Sequence, residues 1–482
     1  MSSAQLFYAI NLLIYAGVDI IACLGLNQQF GVAGVTNFGF IIFQAAGAYT
    51  AAILSLPNQS ANGAFQSYIG GWNLPWPVPW IGAMIVGGLI ALPFTFLVGR
   101  RLRGDFAAVG LLVTAVMANL LITNYRPLLN GSAGLSLVPA PLQGEYNPQS
   151  QGYQWLYAAV TLVLAAAIFL LRRVTESPYG RSLRAMRDND IVADSLRAPG
   201  LADATRQDGS AVSLAGRPIT RSVPSSVEPD EGVVLRTVDV TRDFGGVHAV
   251  AGVSIEVQRG TLTGLIGPNG AGKSTLLAML AGTMPVTSGQ VIYAGADVTG
   301  GPAYRRARLG LVRTFQLASE FKRLTVMENL LSAVPVNRGD SLAGALRGRH
   351  YWRRDEEAAI TRARALLDRF GLSGYADTYA SDLSGGQRRL TEIMRALMTE
   401  PTMLLLDEPM AGVHPRLARQ IGVQLLGLCA EGMTILMVEH ELAIMDEFCD
   451  PAIVMAEGTV LATGTMAALR ARAEVVEAYL VG

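Results

Sequence analysis

Residues 267–275 read Gly-Pro-Asn-Gly-Ala-Gly-Lys-Ser-Thr, a glycine-rich loop of the kind that wraps its backbone around phosphate groups. The apolar segment 261–266 before the loop predicts a short buried strand, and the segment from Ser274 onward predicts a helix. In this strand–loop–helix setting, the backbone N–H groups of 270–275 would face an anion from the start of a helix. The pattern predicts a phosphate site in which Lys273 neutralises the outer phosphates and Ser274 binds Mg²⁺.

An acidic pair follows a second, almost wholly apolar strand predicted over 402–406. We expect Asp407 to make a second contact with Mg²⁺ and Glu408 to act as a base on the attacking water. An acidic pair after a strand is also common in ordinary loops, but the glycine-rich loop upstream favours the catalytic interpretation. Segments 233–240 and 253–257 alternate between apolar and polar residues and predict two further strands.

The two halves of the chain differ in charge. The 482 residues include 38 basic and 38 acidic side chains, yet Asp19 is the single charged residue among the first 99. Zero net charge argues against a dedicated nucleic-acid binder, so we expect no nucleic-acid partner. The three cysteines, Cys23, Cys429 and Cys449, lack the spacing of a metal site and are predicted to be free thiols.

Five apolar stretches are long enough to cross a bilayer, which takes about 20 residues each. They lie near 6–26, 32–56, 80–99, 106–124 and 154–171. The competing interpretation, core helices of a soluble protein, is disfavoured by five nearly uncharged segments in a row. The N-terminus has neither a basic region nor a cleavage site, so the first stretch is predicted to stay as an anchor.

Arginines after the third and fifth stretches predict that these loops are cytoplasmic, with the N-terminus outside if the first stretch spans. The glycine-rich segment 31–47 predicts either a broken helix near a substrate or a closely packed helix. Asp19 is either functional or simply faces the bundle or a helix end.

A polar and basic segment, 177–197, follows the last apolar stretch. Its apolar Leu183, Met186, Ile191 and Leu196 recur along a predicted helix or helix pair. That helix would lie either on acidic lipid head groups or against the half of the chain that contains the predicted phosphate site. The region 199–230, rich in Ala, Pro, Gly, Ser and Asp, predicts a linker.

The motif Leu383-Ser-Gly-Gly-Gln387, shortly before the acidic strand, resembles the signature of ATP-binding-cassette (ABC) ATPases. The resemblance covers 233–482 and implies an α/β P-loop NTPase domain with a helical subdomain. It implies catalytic roles for Glu408, His440 and Gln316, with Gln316 also joining Ser274 and Asp407 on Mg²⁺. The ATP-binding residues that it implies are Phe244, which stacks on adenine, and Gly267, Pro268, Asn269, Gly270, Ala271, Gly272, Lys273, Ser274 and Thr275.

The signature loop contacts nucleotide on a second cassette in this family, so the resemblance implies a homo- or heterodimer. The loop residues are Leu383, Ser384, Gly385, Gly386 and Gln387. Segments 311–316 and 411–415 look like ATPases of branched-chain amino-acid importers, except that His414 replaces a common asparagine.

The front half, through segments such as 25–34 and 180–187, resembles the permease of the same importers. This resemblance implies a cytoplasmic coupling loop over 177–197, and its predicted coupling residues are Gly180, Arg181, Arg184 and Arg187. Family permeases continue with more spans after this loop, where this chain enters the predicted linker.

The resulting expectation is a multi-domain chain: an all-α polytopic membrane domain of about five spans at 1–198, a linker at 199–230 and an ABC ATPase at 231–482. With ATP and Mg²⁺, it would import branched-chain amino acids or related small polar solutes across the plasma (inner) membrane, with its ATPase domain in the cytoplasm. Expected partners are a second ABC ATPase, permease subunits, an extracytoplasmic solute-binding protein and membrane lipid. The alternatives are a membrane-anchored ATPase that powers separate permeases, and urea or short amides as the substrate.

Overall fold

The computed structural model describes residues 3–34, 36–58, 66–75, 77–100, 104–136, 138–139, 152–188, 232–314 and 321–481. The chain divides into two compact units, Met1–Glu176 and Ser177–Gly482. The start of the predicted coupling loop therefore groups with the second unit. The predicted linker 199–230 lies outside the described residues.

The described part of the first unit is helical. Its helices are α1 (Ser3–Leu26), α2 (Phe40–Ser55), α3 (Val78–Arg100), α4 (Gly104–Asn124), α5 (Arg126–Leu129) and α6 (Gly152–Thr175). Each of the five predicted apolar stretches contains a long helix, but the second stretch is not helical throughout. Residues 27–32 extend α1 as a π-helical turn, and Gly34 then adopts a φ of +73°. This left-handed residue ends the turn, so the glycine-rich segment breaks before α2 begins.

The long helices of the first unit expose apolar side chains. Among the described residues, Tyr8–Val32 and Tyr157–Thr175 are long and apolar enough to cross a membrane, and Phe40–Ser55, Val78–Pro93 and Ala108–Asn124 are shorter apolar helices. Leu12 on α1 is 59% exposed and Leu162 on α6 is 71% exposed. Core helices of a soluble protein would cover such side chains, so this exposure favours helices that face lipid.

A six-stranded sheet lies at the centre of the second unit. Its order is β11-β10-β4-β9-β8-β7, and all neighbours are parallel except the antiparallel pair β10–β11. The strands are β4 (Leu262–Ile266), β7 (Leu311–Arg313), β8 (Met403–Asp407), β9 (Thr434–Val438), β10 (Ala452–Ala456) and β11 (Thr459–Gly464). Every residue of β4, β8 and β9 is buried, which explains why their sequences are mostly apolar.

The register of the sheet brings three loops together. Val438 at the end of β9 pairs with both Leu265 of β4 and Asp407 of β8. Because the three strands are parallel, the segments after them emerge at one edge of the sheet, where α/β proteins bind ligands.

A second, antiparallel sheet is formed by β1 (Val233–Phe244), β2 (Val247–Val253), β3 (Glu256–Gln258), β5 (Ser288–Tyr293) and β6 (Ala296–Asp297). The strand predicted over 253–257 is wrong as one element, because the chain leaves strand geometry at Ser254 and Ile255. Both β2 and β3 pair with β1, and the Thr237 hydroxyl accepts the Ile255 N–H between them.

The second unit also contains helices. They are α7 (Pro178–Asp188), α8 (Lys273–Ala281), α9 (Ala303–Arg308), α10 (Val326–Leu331), α11 (Leu342–Arg347), α12 (Arg349–Arg369), α13 (Gly385–Leu397), α14 (Pro415–Ala430), α15 (Leu442–Phe448), α16 (Met466–Arg470) and α17 (Ala473–Val481). Helices α10 to α13 are inserted between β7 and β8, as expected for the helical subdomain.

Replacing an exposed apolar residue with arginine tests the environment of α6. Leu162→Arg places a charge near the centre of a helix that we expect to lie in lipid, at a cost of about 2.5–3.5 kcal/mol. We expect less full-length chain in the membrane fraction, measured by quantitative immunoblot. Val423 on α14 is 59% exposed, so Val423→Arg is the control and should leave the amount unchanged. Equal tolerance of both substitutions would contradict a lipid-facing α6.

Candidate functional site

The glycine-rich loop connects β4 to α8 and adopts a conformation that needs glycine. Gly267 and Gly272 have φ values of +154° and +91°, and a Cβ on either would collide with a backbone oxygen, of Met455 or of Ala249 respectively. Larger residues are excluded at these positions. The loop leads into the N-terminus of α8. Backbone N–H groups in the first turn of a helix have no partner within the helix and favour an anion.

Lys273 at the start of α8 is buried inside this loop. Its Nζ donates to the carbonyl oxygens of Gly267 at 2.6 Å and Pro268 at 2.8 Å. Burial lowers the pKa of Lys273, and the nearby charges of Glu408 and Asp407 oppose that shift. The loop therefore encloses the Lys273 ammonium group, and the role of Lys273 in neutralising phosphates stays a prediction.

Asp407 is a buried carboxylate with two partners from distant parts of the chain. Ser274 Oγ donates to Oδ1 at 3.3 Å, and Arg313 Nη2 donates to Oδ2 at 2.8 Å. Asp407 is 0% exposed, so these contacts compensate a charge that burial would otherwise destabilise. Ser274 and Asp407, both predicted to bind Mg²⁺, therefore lie together, and their oxygens are ligands that Mg²⁺ prefers. Gln316 lies outside the described residues.

Glu408 and His440 lie side by side, 32 positions apart in the sequence, with His440 Nε2 2.6 Å from Glu408 Oε1. Glu408 has a φ of +48°, which is unusual for a residue with a side chain. Its N–H donates to Val438 O at 2.9 Å, and its own carbonyl accepts from Arg389 Nη2 at 3.2 Å. Backbone strain held by surrounding contacts is common at functional sites. The arrangement can hold a base and orient it through the imidazole.

Glu439 lies between Val438 at the end of β9 and His440. Its side chain is a buried carboxyl group that the sequence analysis missed. It is 4% exposed, and its Oε1 accepts the Met410 N–H at 2.6 Å. Burial raises the pKa of Glu439 to about 7. The N–H groups of Met410 and His440 and the imidazole of His440 oppose the shift, whereas the charge of Glu408 adds to it. The signal available in the sequence was a glutamate directly after the largely apolar strand β9.

The predicted signature loop forms a reciprocal cap at the start of α13. Ser384 Oγ accepts the Gln387 N–H at 3.4 Å, and Gln387 Oε1 accepts the Ser384 N–H at 2.9 Å. Leu383 is buried, whereas Ser384 and Gly385 are exposed. The cap fixes the loop while its first turn remains accessible, which suits a surface that meets another molecule.

Phe244, the predicted adenine contact, lies at the end of β1 and is 45% exposed. The guanidinium of Arg242 lies 4.7 Å from its ring centroid, a cation–π contact that sequence reasoning missed. His414, which replaces a common asparagine, caps α14 because its Nδ1 accepts the Arg416 N–H at 3.3 Å. The substitution therefore retains an N-cap acceptor.

Helix α7 lies against the ATPase domain through paired charges. Arg181 makes two hydrogen bonds to Glu356, at 2.6 Å and 3.1 Å, and Arg184 lies 2.9 Å from Glu328. Ser182 Oγ donates to Asp340 at 3.2 Å. We call the residues opposite α7 the α7-binding surface: Arg323, Glu328, Asn337, Asp340 and Glu356.

The sequence analysis predicted the basic side of this contact but none of its acidic residues. Gly180 is buried in α7, and its N–H donates to Ser177 Oγ at 3.3 Å. Arg187 is partly exposed, and residues 189–197 of the predicted coupling loop lie outside the described residues. Asp19, in the first unit, is exposed on α1.

Two family descriptions match this sequence. Residues 250–411 match "ABC transporter", and residues 8–196 match "Branched-chain amino acid transport system / permease component". A probable branched-chain amino acid transport ATP-binding protein from Archaeoglobus fulgidus is 38% identical, over 51% of this chain and 95% of its own length. The chain belongs to the ABC transporter family.

Another relative of this ABC transporter chain is a high-affinity branched-chain amino acid transport ATP-binding protein from Pseudomonas aeruginosa. It is 36% identical, over 51% of this chain and 97% of its own length. A solved nucleotide-free ATP-binding cassette from an ABC transporter is 38% identical, over 51% of this chain and 98% of its own, with a TM-score of 0.45. The expected family, the α/β cassette after a helical permease-like region, and ATPase activity are confirmed.

Arg313→Gln tests the ion pair with Asp407. Removing one partner of a buried pair costs about 3–5 kcal/mol, because the remaining charge is uncompensated. We expect a lower melting temperature for the full chain in EDTA, measured by thermal denaturation. If Asp407 holds Mg²⁺ as the sequence predicts, Mg²⁺ and ATP should reduce the loss, because the ion would bring positive charge to the same carboxylate. The control is Arg419→Gln, which removes an exposed pair with Glu447 and should cost less than about 1 kcal/mol. Equal losses of stability in Arg313→Gln and Arg419→Gln would contradict a buried ion pair between Arg313 and Asp407 that stabilises the fold.

Glu439→Gln tests the raised pKa. A carboxyl group whose folded pKa is raised stabilises the fold below its ordinary pKa of 4.5, and this contribution is lost as the pH rises through about 7. The melting temperature of the wild type should therefore fall between pH 5 and pH 8. The variant should show a flatter profile, because it lacks a pH-dependent contribution of about 3 kcal/mol to the free energy of unfolding across this range.

Glu431→Gln is the control for this pH profile. Glu431 is exposed, and a hydrogen bond from Arg369 lowers its pKa. Its contribution to folding stability is therefore lost only as the pH falls below the ordinary pKa of 4.5. This control should match wild type between pH 5 and pH 8. Parallel profiles for wild type and Glu439→Gln would contradict the assignment.

Proposed function

We propose that this chain is an ATP-driven importer of branched-chain amino acids in the plasma (inner) membrane, with its cassette in the cytoplasm. Support for the substrate comes from the permease description that matches residues 8–196 and from relatives named for branched-chain amino acid transport. The observation that carries transport coupling is the contact of α7 with the cassette. This helix begins at Pro178, directly after α6 ends at Thr175 and two connecting residues. A cassette that only anchored itself to lipid would not need this contact.

ATP hydrolysis in this proposal uses the residues at the edge of the central sheet. The glycine-rich loop and Lys273 bind the phosphates, and His440 orients Glu408 as the base for the attacking water. Ser274, Asp407 and Gln316 would hold Mg²⁺, which supplies positive charge to the phosphates when it is bound. Phe244 would stack on adenine.

A second cassette completes the site in this proposal, because the exposed Ser384–Gln387 loop would contact nucleotide bound by the partner. The partner is a second copy of this chain or a separate ABC ATPase. ATP-driven closure would move α7 and change access through the membrane helices. Further permease subunits, lipid and an extracytoplasmic solute-binding protein are the remaining proposed partners.

Uptake of radiolabelled leucine tests the function. The full chain would be expressed with its solute-binding protein in cells that lack their own importers, and uptake is expected. Glu408→Gln should retain ATP binding, because the phosphate loop is intact, but lose about 10²–10⁴-fold in hydrolysis. It should therefore abolish uptake.

Two outcomes would contradict this proposal. ATP hydrolysis without uptake, followed by uptake after a complete permease is supplied, would indicate a membrane-anchored ATPase that powers other subunits. Uptake of urea or short amides in place of leucine would support a transporter but contradict branched-chain amino acids as its substrate.

A further inference from the structure

The turn that carries Glu408 has a conformation that needs support from its surroundings. Glu408 directly follows β8, and its φ of +48° lies in the left-handed region, which residues with a side chain rarely adopt. The backbone angles of this residue set the direction in which its side chain leaves the chain. The 2.6 Å contact between His440 Nε2 and Glu408 Oε1 therefore depends on what holds the turn 408–411.

Arg389 holds the carbonyl group of this turn. It lies on α13, two residues after the end of the signature loop, and it is buried. Its Nη1 donates to Glu392 Oε2 at 2.8 Å, and its Nη2 donates to the main-chain oxygen of Glu408 at 3.2 Å. Because the guanidinium is planar and rigid, the buried salt bridge with Glu392 fixes the direction of the second nitrogen as well.

Glu439 holds the same turn from another side. Its buried Oε1 accepts the N–H of Met410, two residues after Glu408, at 2.6 Å. The N–H of His440, the next residue along the chain, also stabilises the charge of this carboxyl group. One side chain thus connects the main chain of the turn with the main chain at His440.

We propose that Arg389 and Glu439 are positioning residues for Glu408, because they hold its turn in the left-handed conformation that directs the carboxylate towards His440. This inference rests on the proposed role of Glu408 as the base in ATP hydrolysis. Both contacts are with the main chain of the turn, so neither uses the Glu408 carboxylate itself. Loss of either contact should therefore lower kcat and leave ATP binding intact, because the glycine-rich loop belongs to a different connection, between β4 and α8.

Arg389→Lys tests the first contact. Lysine keeps a positive charge for Glu392, but its single ammonium lacks the planar fork that reaches two acceptors in fixed directions. In the full chain purified in lipid nanodiscs, we expect kcat for phosphate release from ATP to fall about 10- to 100-fold, because a small displacement of the base is costly. The Kd of the fluorescent analogue trinitrophenyl-ATP should stay near the wild-type value.

Arg306→Lys is the matched control for Arg389→Lys. Arg306 is also buried and also donates to main-chain oxygens, of Leu280 at 2.7 Å and of Thr299 at 3.0 Å. It lies at the opposite end of α8 from the glycine-rich loop, because Leu280 is in the last turn of that helix. Both variants should have a lower melting temperature, but Arg306→Lys should keep kcat near the wild-type value. An equal fall of kcat in the two variants would overturn the proposal for Arg389.

Two substitutions of Glu439 test the second contact. Glutamine keeps a side-chain oxygen that can accept the Met410 N–H, whereas methionine, which has a similar length, has no such oxygen. Glu439→Met should therefore lower kcat about tenfold or more, with trinitrophenyl-ATP binding retained, and Glu439→Gln should keep most of the wild-type rate. Equal rates of hydrolysis in the two variants would overturn the proposal for Glu439.

Combination with Glu408→Gln distinguishes positioning of the base from a general loss of structure. If Arg389 and Glu439 act through Glu408, then Arg389→Lys or Glu439→Met should not lower the residual hydrolysis of the Glu408→Gln chain any further. A full additional loss in the double variants would show effects that are independent of the base and would overturn the proposal.

The same measurements separate this proposal from the proposed function. Wild-type hydrolysis by Glu408→Gln would contradict the proposed base, and the positioning roles with it. Loss of hydrolysis in Glu408→Gln, together with wild-type kcat in Arg389→Lys and Glu439→Met, would contradict the positioning roles alone.

Discussion

Burial of the Asp407 carboxylate is the constraint on which the nucleotide site depends. A charge with no exposed surface must be compensated inside the protein. Two structural elements supply partners: the first turn of α8, through Ser274, and the edge strand β7, through Arg313. Because β7 pairs with β8 in parallel, with Arg313 opposite Leu405, the order of strands places the arginine beside the acid. One buried charge thus fixes the phosphate loop relative to the end of the sheet.

Local patterns in the sequence predicted the elements around this site. The glycine-rich loop joins a buried strand to a helix, and the acidic pair lies at the end of an apolar strand, both as expected. The signature motif forms a helix cap, which was not predicted. Arg313, Arg242 and Glu439 were missed because their roles come from neighbours brought together by the fold. The same limit applies to α7, whose Arg181 pairs with a residue 175 positions later. The type of a residue and the spacing of its neighbours along the chain do not reveal which distant residue it pairs with.

The first unit illustrates a different limit. Hydropathy predicted five helices, because apolar composition over about 20 residues is itself the requirement for crossing lipid. Hydropathy did not locate the interruption before α2, where Gly34 has a left-handed φ of +73°. The glycines of segment 31–47 predicted a broken helix there as one of two alternatives. Composition therefore predicted a helix in each stretch, but among the described residues only Tyr8–Val32 and Tyr157–Thr175 are long and apolar enough to cross a membrane.

The connection between α7 and the cassette has a further consequence for affinity. Two groups on one chain meet at an effective concentration set by the length of chain between them. Binding between α7 and the cassette can therefore be weak as a bimolecular reaction and still be nearly complete in the intact chain. In an importer made of separate subunits, the same contact must itself provide the affinity for assembly. In a single chain, the contact around Arg181 does not have to provide that affinity.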